Sequence, residues 1–271
     1  MAIITISRGT FSGGKDLAEC VSQKLGYRCI SREMLLSATA KYGIPVDKLL
    51  HALADKPGIL ERMGLERLHY LTFIREALVR EVKEDRVVYH GYAGHLLLRG
   101  IPHVLRVRVI ANMEFRIKAA MDRNNLSRKE AIELIEKRDD ERTKWTRFLY
   151  HVDWLDPSLY DLVINLDHIT LDSACEAISL AVRSENLNVT PESLKIMDNL
   201  ALSSEVRARI AAEGKSRDGG IEVDAIDAED GVVTINGIVH SIEDADVIKE
   251  IIHKVSGVKD IRSNLKIRTH W

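Results

Sequence analysis

Residues 3–16 read Ile3-Ile-Thr-Ile-Ser-Arg8-Gly9-Thr-Phe-Ser-Gly-Gly14-Lys15-Asp16, and their reading decides the fold. Residues 3–6 form a short apolar run of the kind a buried strand uses, and residues 16–25 carry a helical pattern. Between them, Gly9 to Lys15 fits the first seven positions of G-x-x-x-x-G-K-[ST], with Asp16 where a hydroxyl is expected. Glycines there allow positive φ and a close backbone approach, and the unpaired N–H groups that begin the helix face an anion. Strand, glycine loop and helix in that order point to a phosphate cradle made by Gly9, Thr10, Ser12, Gly13, Gly14, Lys15 and Asp16. Lys15 is the compact cation expected to reach a transferred phosphate.

Outward from this stretch, residues 86–89, 104–110 and 162–165 read as further strands. Helical patterns lie at 65–83, near 112–123, at 128–149 and at about 171–183. Strands alternating with helices predict a parallel sheet covered on both faces. Residues 184–193 are polar, with Asn186, Asn188 and Pro191, and read as a linker. Beyond them come a short helix at 205–212, strands at 221–226 and 232–238 around an Asp230-Gly231 turn, a helix at 245–255 and a last strand at 258–267. The expected organisation is an α/β domain over 1–184, a linker over 185–195, and a small α+β unit of αββαβ order over 196–271.

Hydrophobic residues make up 45% and charged residues 30%, a globular balance that argues against disorder. No apolar run reaches the roughly 18 residues of a membrane span, and the N-terminus lacks a signal-peptide layout. Cys20, Cys29 and Cys175 have no metal-ligand spacing, so reduced thiols in a cytoplasmic protein are expected. Residues 1–184 hold 28 Lys and Arg against 25 Asp and Glu, the mild basicity a polyphosphate handler could have. Residues 185–271 hold 11 against 16, so charge alone gives them no affinity for nucleic acid or anionic lipid.

Several blocks recur in the order of a known family: Ile6-Ser7-Arg8, Ser12-Gly13-Gly14, Leu17-Ala18, Ser31-Arg32-Glu33, NMEFRIK around Arg116, EKRDDERTKW and DWLDPSLYDLVINLD. Over 1–183 the chain resembles the cytidylate kinase-like P-loop proteins. The resemblance implies a P-loop kinase-type parallel sheet with helices on both faces, ATP as donor, Mg²⁺, and a nucleotide such as CMP as acceptor. Arg138 and Arg142, four residues apart on one helix face, would be lid arginines that neutralise the transition state with Lys15. Their alternative is a solvated helix in which Asp139, Asp140 and Glu141 pair with them. Arg116 resembles the family's phosphate- or base-proximal arginine on the ATP side, while Arg32 and Asp161 fall on the acceptor side, where Asp161 could help orient an arginine. Asp16 either helps organise Mg²⁺ through water or is an acid in the helix's first turn. Tyr92, in Gly91-Tyr92-Ala93, stands where the family carries an arginine, which puts the acceptor in doubt. His90 and His95 read as structural.

The block from Gly231 and Val232–Ile235 through Asn236-Gly237 to Gly257-Val258, Ile261, Asn264 and Leu265 resembles a BON domain. That implies a module for an unidentified ligand or protein partner. The combined expectation is an ATP-dependent nucleotide kinase carrying a BON module. The rival, favoured by Asp16 and Tyr92, is a catalytically weak or inactive nucleotide-binding regulator whose output is the BON unit.

Overall fold

A computed structural model describes residues 2–43, 61–91, 93–214 and 221–268, which group into two units. Tyr92 and the stretches 44–60 and 215–220 lie outside the described residues. The chain runs β1 (Ile3–Arg8), α1 (Gly14–Leu25), β2 (Arg28–Ser31), α2 (Arg32–Ala38), α3 (Glu61–Val82), β3 (Val87–His90), α4 (Gly94–Leu97) and β4 (Val104–Ile110). It continues with α5 (Met113–Asn124), α6 (Arg128–Tyr150), β5 (Leu162–Asn165), α7 (Leu171–Ala181), α8 (Pro191–Ala212), β6 (Ile221–Asp227), β7 (Val232–Val239), α9 (Ile242–His253) and β8 (Asp260–Ile267).

In the first unit the strands order as β2-β3-β1-β4-β5, all parallel. β1 is central and buried from Ile3 to Ser7, which explains why its residues are mostly apolar. Ile6 lies beside His90 on one side and Val107 on the other, and Arg8 beside Val109. The glycine loop therefore leaves the carboxyl edge of the sheet where the strand order reverses, the position at which open α/β sheets bind ligands. α1 starts at a left-handed Gly13 and stops at a left-handed Gly26, where the Tyr27 N–H returns to the Ser22 carbonyl at 2.9 Å. Leu17, Ala18 and Val21 of α1 pack with Ile4, Ile6, Val107, Val109, Ala174 and Ile178. Burying each large member of such a core contributes roughly 1.5–3 kcal/mol. In the same layer Cys20 and Cys175 are joined as a disulfide, their Cα atoms 6.2 Å apart, whereas Cys29 is free. This corrects the expectation that all three cysteines are reduced; a separation of 155 residues hides the pairing from any spacing rule.

In the second unit α8 carries the three-stranded sheet β6-β7-β8, with β6 antiparallel and β8 parallel to β7. Val223, Val233, Ile235 and Val239 of the sheet pack with Leu202, Val206 and Ile210 of α8 and Ile248 and Ile252 of α9. α8 is longer than the expected helix at 205–212 and includes residues assigned to the linker. Thr190 caps it, accepting from the Ser193 N–H at 3.1 Å while Ser193 Oγ accepts from the Thr190 N–H at 2.9 Å, and Pro191 takes the first turn. The proline that suggested a linker is thus a helix start.

α3 was expected to serve the first domain, but it packs in the second unit: Phe73 lies against Ala208 and Ala211 of α8, and Lys83 pairs with Asp198 at 2.9 Å. A chain cut after Val189 is accordingly expected to expose Phe73 and to aggregate or bind an apolar-surface dye. Cooperative unfolding of that truncation, with no dye binding, would show that α3 does not depend on α8. No described helix is long and apolar enough to cross a membrane.

Candidate phosphate-binding site

The loop from Gly9 to Gly13 is shaped by two left-handed residues, Phe11 (φ 60°) and Gly13 (φ 81°). Glycine is required at 13 twice over, since a Cβ there would also meet the Leu166 side chain at 2.9 Å. At Gly14 a Cβ would meet the Arg8 side chain at 2.7 Å, so backbone and arginine share one tight layer. The buried Ser12 hydroxyl faces the carbonyls of Gly9 and Val109 at 3.0 and 3.1 Å, which ties the loop to the end of β4. Ser12 thus holds the cradle's shape with its side chain, and its N–H also donates to the Gly9 carbonyl at 3.2 Å. No side chain caps the start of α1, so its first N–H groups remain donors for an anion. The Lys15 amine is 3.6 Å from Glu19 and about half exposed.

Asp139 of α6 draws the site together. Its carboxylate accepts from the Thr10 N–H at 3.1 Å and from the Thr10 hydroxyl at 2.7 Å. Arg116 of α5 pairs with the same carboxylate and donates from Nε to the Thr10 carbonyl at 2.8 Å. Arg142 donates to the Arg8 carbonyl at 2.7 Å and lies 3.4 Å from Asp139. Arg138 sits over the Phe11 ring at 5.9 Å. The structure therefore gathers Gly9–Lys15, Arg116, Arg138 and Arg142 into one cluster. The sequence reading gave Asp139 only a local ion-pair role; its partner Thr10 lies 129 residues away.

Asp16 pairs with Arg123 of α5 at 2.5 Å. It points to that arginine as a first-turn acid. Arg32 begins α2, and a Cβ on Gly91 would approach the Arg32 Cβ at 3.3 Å, so it lies on the β2–β3 side of the loop. Burial lowers the Arg8 pKa, and Arg32 and Arg123 lower it further against the opposing pull of Glu33 and Asp16, as expected in a cationic surround.

Asp161 is not brought to Arg32; the arginine it orients is Arg106. It accepts from the Arg106 N–H at 2.8 Å and from that guanidinium at 2.6 and 3.1 Å. Arg106 lies opposite Thr5, three residues before the loop end of β1, and β3, β1 and β4 separate β5 from β2. Burial alone would raise the Asp161 pKa, but the Arg106 hydrogen bonds and charge hold it below the usual carboxylate value.

Arg108 escaped the sequence reading. It is buried on β4 opposite Ser7, donates to the Trp154 carbonyl and lies over the Trp154 and Tyr160 rings at 4.4 and 5.5 Å. Arg142 lies 4.8 Å from the Trp154 ring, so this indole joins β4 to α6. The available signal was a pair of arginines, Arg106 and Arg108, inside an otherwise apolar strand.

His90 and His95 are buried, and burial lowers both pKa values. His95 falls to about 4, with Arg106 and Arg108 adding to the effect of burial, so it is neutral at pH 7 and poorly matched to proton transfer there. Because the unfolded histidine titrates near pH 6.5, the unfolded state takes up the proton first as pH falls. The stability gained from the neutral ring is complete above that pH and declines until about pH 4. From pH 7 to 5 the wild type should lose about 2 kcal/mol relative to His95→Phe, which keeps a ring beside Tyr160. Urea unfolding at the two pH values measures this; equal losses in both proteins would reject it.

A separate cavity of about 700 Å³ lies wholly in the second unit, between α3, α8 and the turns at Ala228 and Gly257. Its charged walls pair among themselves, with Lys41 and Arg80 on the buried Glu76 at 2.7 and 3.1 Å.

The profile of the cytidylate kinase-like family matches residues 3–168, and that of the BON domain matches residues 198–269. The cytidylate kinase of Sulfolobus acidocaldarius is 28% identical over 188 residues, covering 68% of this chain and 96% of that protein. The cytidylate kinase of Sulfurisphaera tokodaii is 27% identical over 182 residues, covering 65% and 92%. Among solved structures, an uncharacterized protein from Eubacterium ventriosum superposes with a TM-score of 0.53 at 18% identity, covering 67% of this chain and 97% of its own.

Proposed function

This chain belongs to the cytidylate kinase-like family and carries a C-terminal BON domain, and from that premise we propose that its first domain moves a phosphate from ATP to a nucleoside monophosphate of the cytidylate type. The observation that carries the proposal is the uncapped start of α1 behind a loop bent at Gly13, with Lys15 projecting beside it. These groups fit a polyphosphate, since adjacent amides and a cation meet the anion without a bulky side chain between them.

In this reading the amides of Gly14, Lys15 and Asp16 hold the donor phosphates, and Lys15 follows the group in transit. Arg116, Arg138 and Arg142 stand within reach of the loop to spread the transition-state charge. Asp139 fixes where two of those guanidiniums sit. Bound Mg²⁺ would supply positive charge that offsets the charge of the phosphates. Asp16 could join its water shell only by leaving Arg123. Arg32 is the candidate for the acceptor phosphate. The BON domain is proposed as a binding module, and a cytoplasmic site of action accords with a nucleotide substrate.

One observation favours the rival of a silent nucleotide-binding regulator: the Asp139 carboxylate already occupies the Thr10 amide, a donor a phosphate could use. The deciding experiment is phosphate transfer from ATP·Mg²⁺ to a panel of ribo- and deoxyribonucleoside monophosphates. Turnover with CMP or dCMP at least about tenfold above the other bases supports the kinase. ATP binding with no transfer to any acceptor supports the regulator.

A further inference from the structure

β8 is an edge strand: among the described residues no strand pairs along its outer side. It runs beside β7 for its full length, from Asp260 opposite Val232 to Ile267 opposite Val239, with no bulge. The Asp260 N–H donates to the Gly231 carbonyl at 3.2 Å, and the Arg268 N–H to the Val239 carbonyl at 2.8 Å. Even-numbered residues of β8 thus turn their peptide groups toward β7. Ile261, Ser263, Leu265 and Ile267 turn theirs outward. The Ile261 N–H is met at 2.9 Å by the carboxylate of Asp260, as an amide on an open edge would be.

The side chains alternate too. Ile261 and Leu265 lean on the second core, while Asp260, Arg262, Asn264 and Lys266 are exposed on the opposite face. Natural sheets blunt such edges with prolines, bulges, very short strands or charged side chains. β8 has none of the first three, and its charges are of both signs, so they can pair across an edge rather than only repel.

We propose that this edge pairs with the β8 edge of a second copy of the chain, antiparallel across a two-fold axis at Ser263, joining two three-stranded sheets into one of six. This register sets the outward peptide groups of Ile261 against those of the partner's Leu265, and Ser263 against itself. The non-hydrogen-bonded positions, where side chains approach most closely, then oppose Asp260 to the partner's Lys266 and Arg262 to the partner's Asn264. Each of these contacts occurs twice by symmetry, except the Ser263 pair on the axis. Ile261 and the partner's Leu265 meet on the core face, so the two apolar layers become continuous.

Neighbouring registers are worse. Moving one chain by two residues either way sets Arg262 against the partner's Arg262 or against its Lys266. A one-residue slip opposes outward peptide groups to inward ones and turns the apolar side chains to the wrong face. Self-complementarity in one register is what singles out a second copy as the occupant.

The test is the mass of the full chain by sedimentation or light scattering over a dilution series. At about 100 μM the expected mass is twice the 30.6 kDa of one chain, with dissociation on dilution. Asp260→Lys or Lys266→Asp alone places like charges opposite each other at two points and should weaken the dimer at least about tenfold. The double swap restores the opposition and should return the dissociation constant to within about threefold of wild type, a rescue that misfolding cannot imitate. Ser263→Pro removes an outward N–H while leaving the β7 ladder whole, and should yield monomer with wild-type circular dichroism. A wild-type chain that stays at 30.6 kDa throughout overturns the proposal, and so does a dimer indifferent to all four variants.

Discussion

Lys15→Ala is expected to lower phosphate transfer from ATP by about 10²–10³-fold, the scale of losing one preorganised group that stabilises transition-state charge. The fold should not register the change. The Lys15 side chain is about half exposed and its ion pair with Glu19 spans 3.6 Å, so its removal should shift stability by less than about 0.5 kcal/mol. Lys15→Arg should recover only part of the rate, because a planar fork cannot follow a moving phosphate as a compact ammonium does. Measuring kcat and the urea midpoint together makes the test sharp. Transfer that survives Lys15→Ala within about threefold would mean that phosphate chemistry happens away from this loop.

The loop was legible because its signal is local: an apolar strand, glycines at positions needing positive φ, and a helix in unbroken succession. Most strands of both sheets were legible for the same reason, and 104–110 and 162–165 match β4 and β5 residue for residue. Periodicity also found α3, because one face is apolar. It could not say which partner that face meets, and the partner is α8, more than a hundred residues away. The first turn of α8 was misread for another reason. Thr190-Pro191-Glu192-Ser193 is polar and contains proline, which suits a linker and a capped helix start alike; the reciprocal Thr190 and Ser193 hydrogen bonds distinguish them.

Long-range pairing accounts for the rest of what was not legible. Asp161 matched a block near the acceptor side, and the arginine it orients is Arg106, 55 residues back on the neighbouring strand. The Cys20–Cys175 bond likewise joins helices that only the sheet order makes neighbours. Asp139 is the most consequential case. With Arg138 beside it and Arg142 three residues on, spacing alone describes a solvated helix, and the fold instead presents its carboxylate to the loop. A sequence shows which residues share a helix face; what that face meets depends on the tertiary arrangement.

That geometry makes Asp139→Asn the second large expected effect. The amide oxygen can still accept from Thr10, but Arg116 loses the anion that balances its largely buried guanidinium. Removing one partner from such a charged hydrogen-bonded group costs about 1–3 kcal/mol, which urea unfolding would read directly. Transfer should fall about tenfold with a raised KM for ATP, because Arg116 and Arg142 no longer share a fixed point beside the loop. Thr10→Val removes the hydroxyl that donates to Asp139 at 2.7 Å, so the double variant should be less damaged than the sum of the singles, by about 0.5 kcal/mol or more. The direction of the kinetic change carries the mechanism. A slower enzyme with weaker ATP binding identifies Asp139 as a positioning residue. A variant that binds ATP more tightly and turns over faster identifies its carboxylate as an occupant of the Thr10 amide that phosphate must displace, and that result would favour the regulatory reading of this chain.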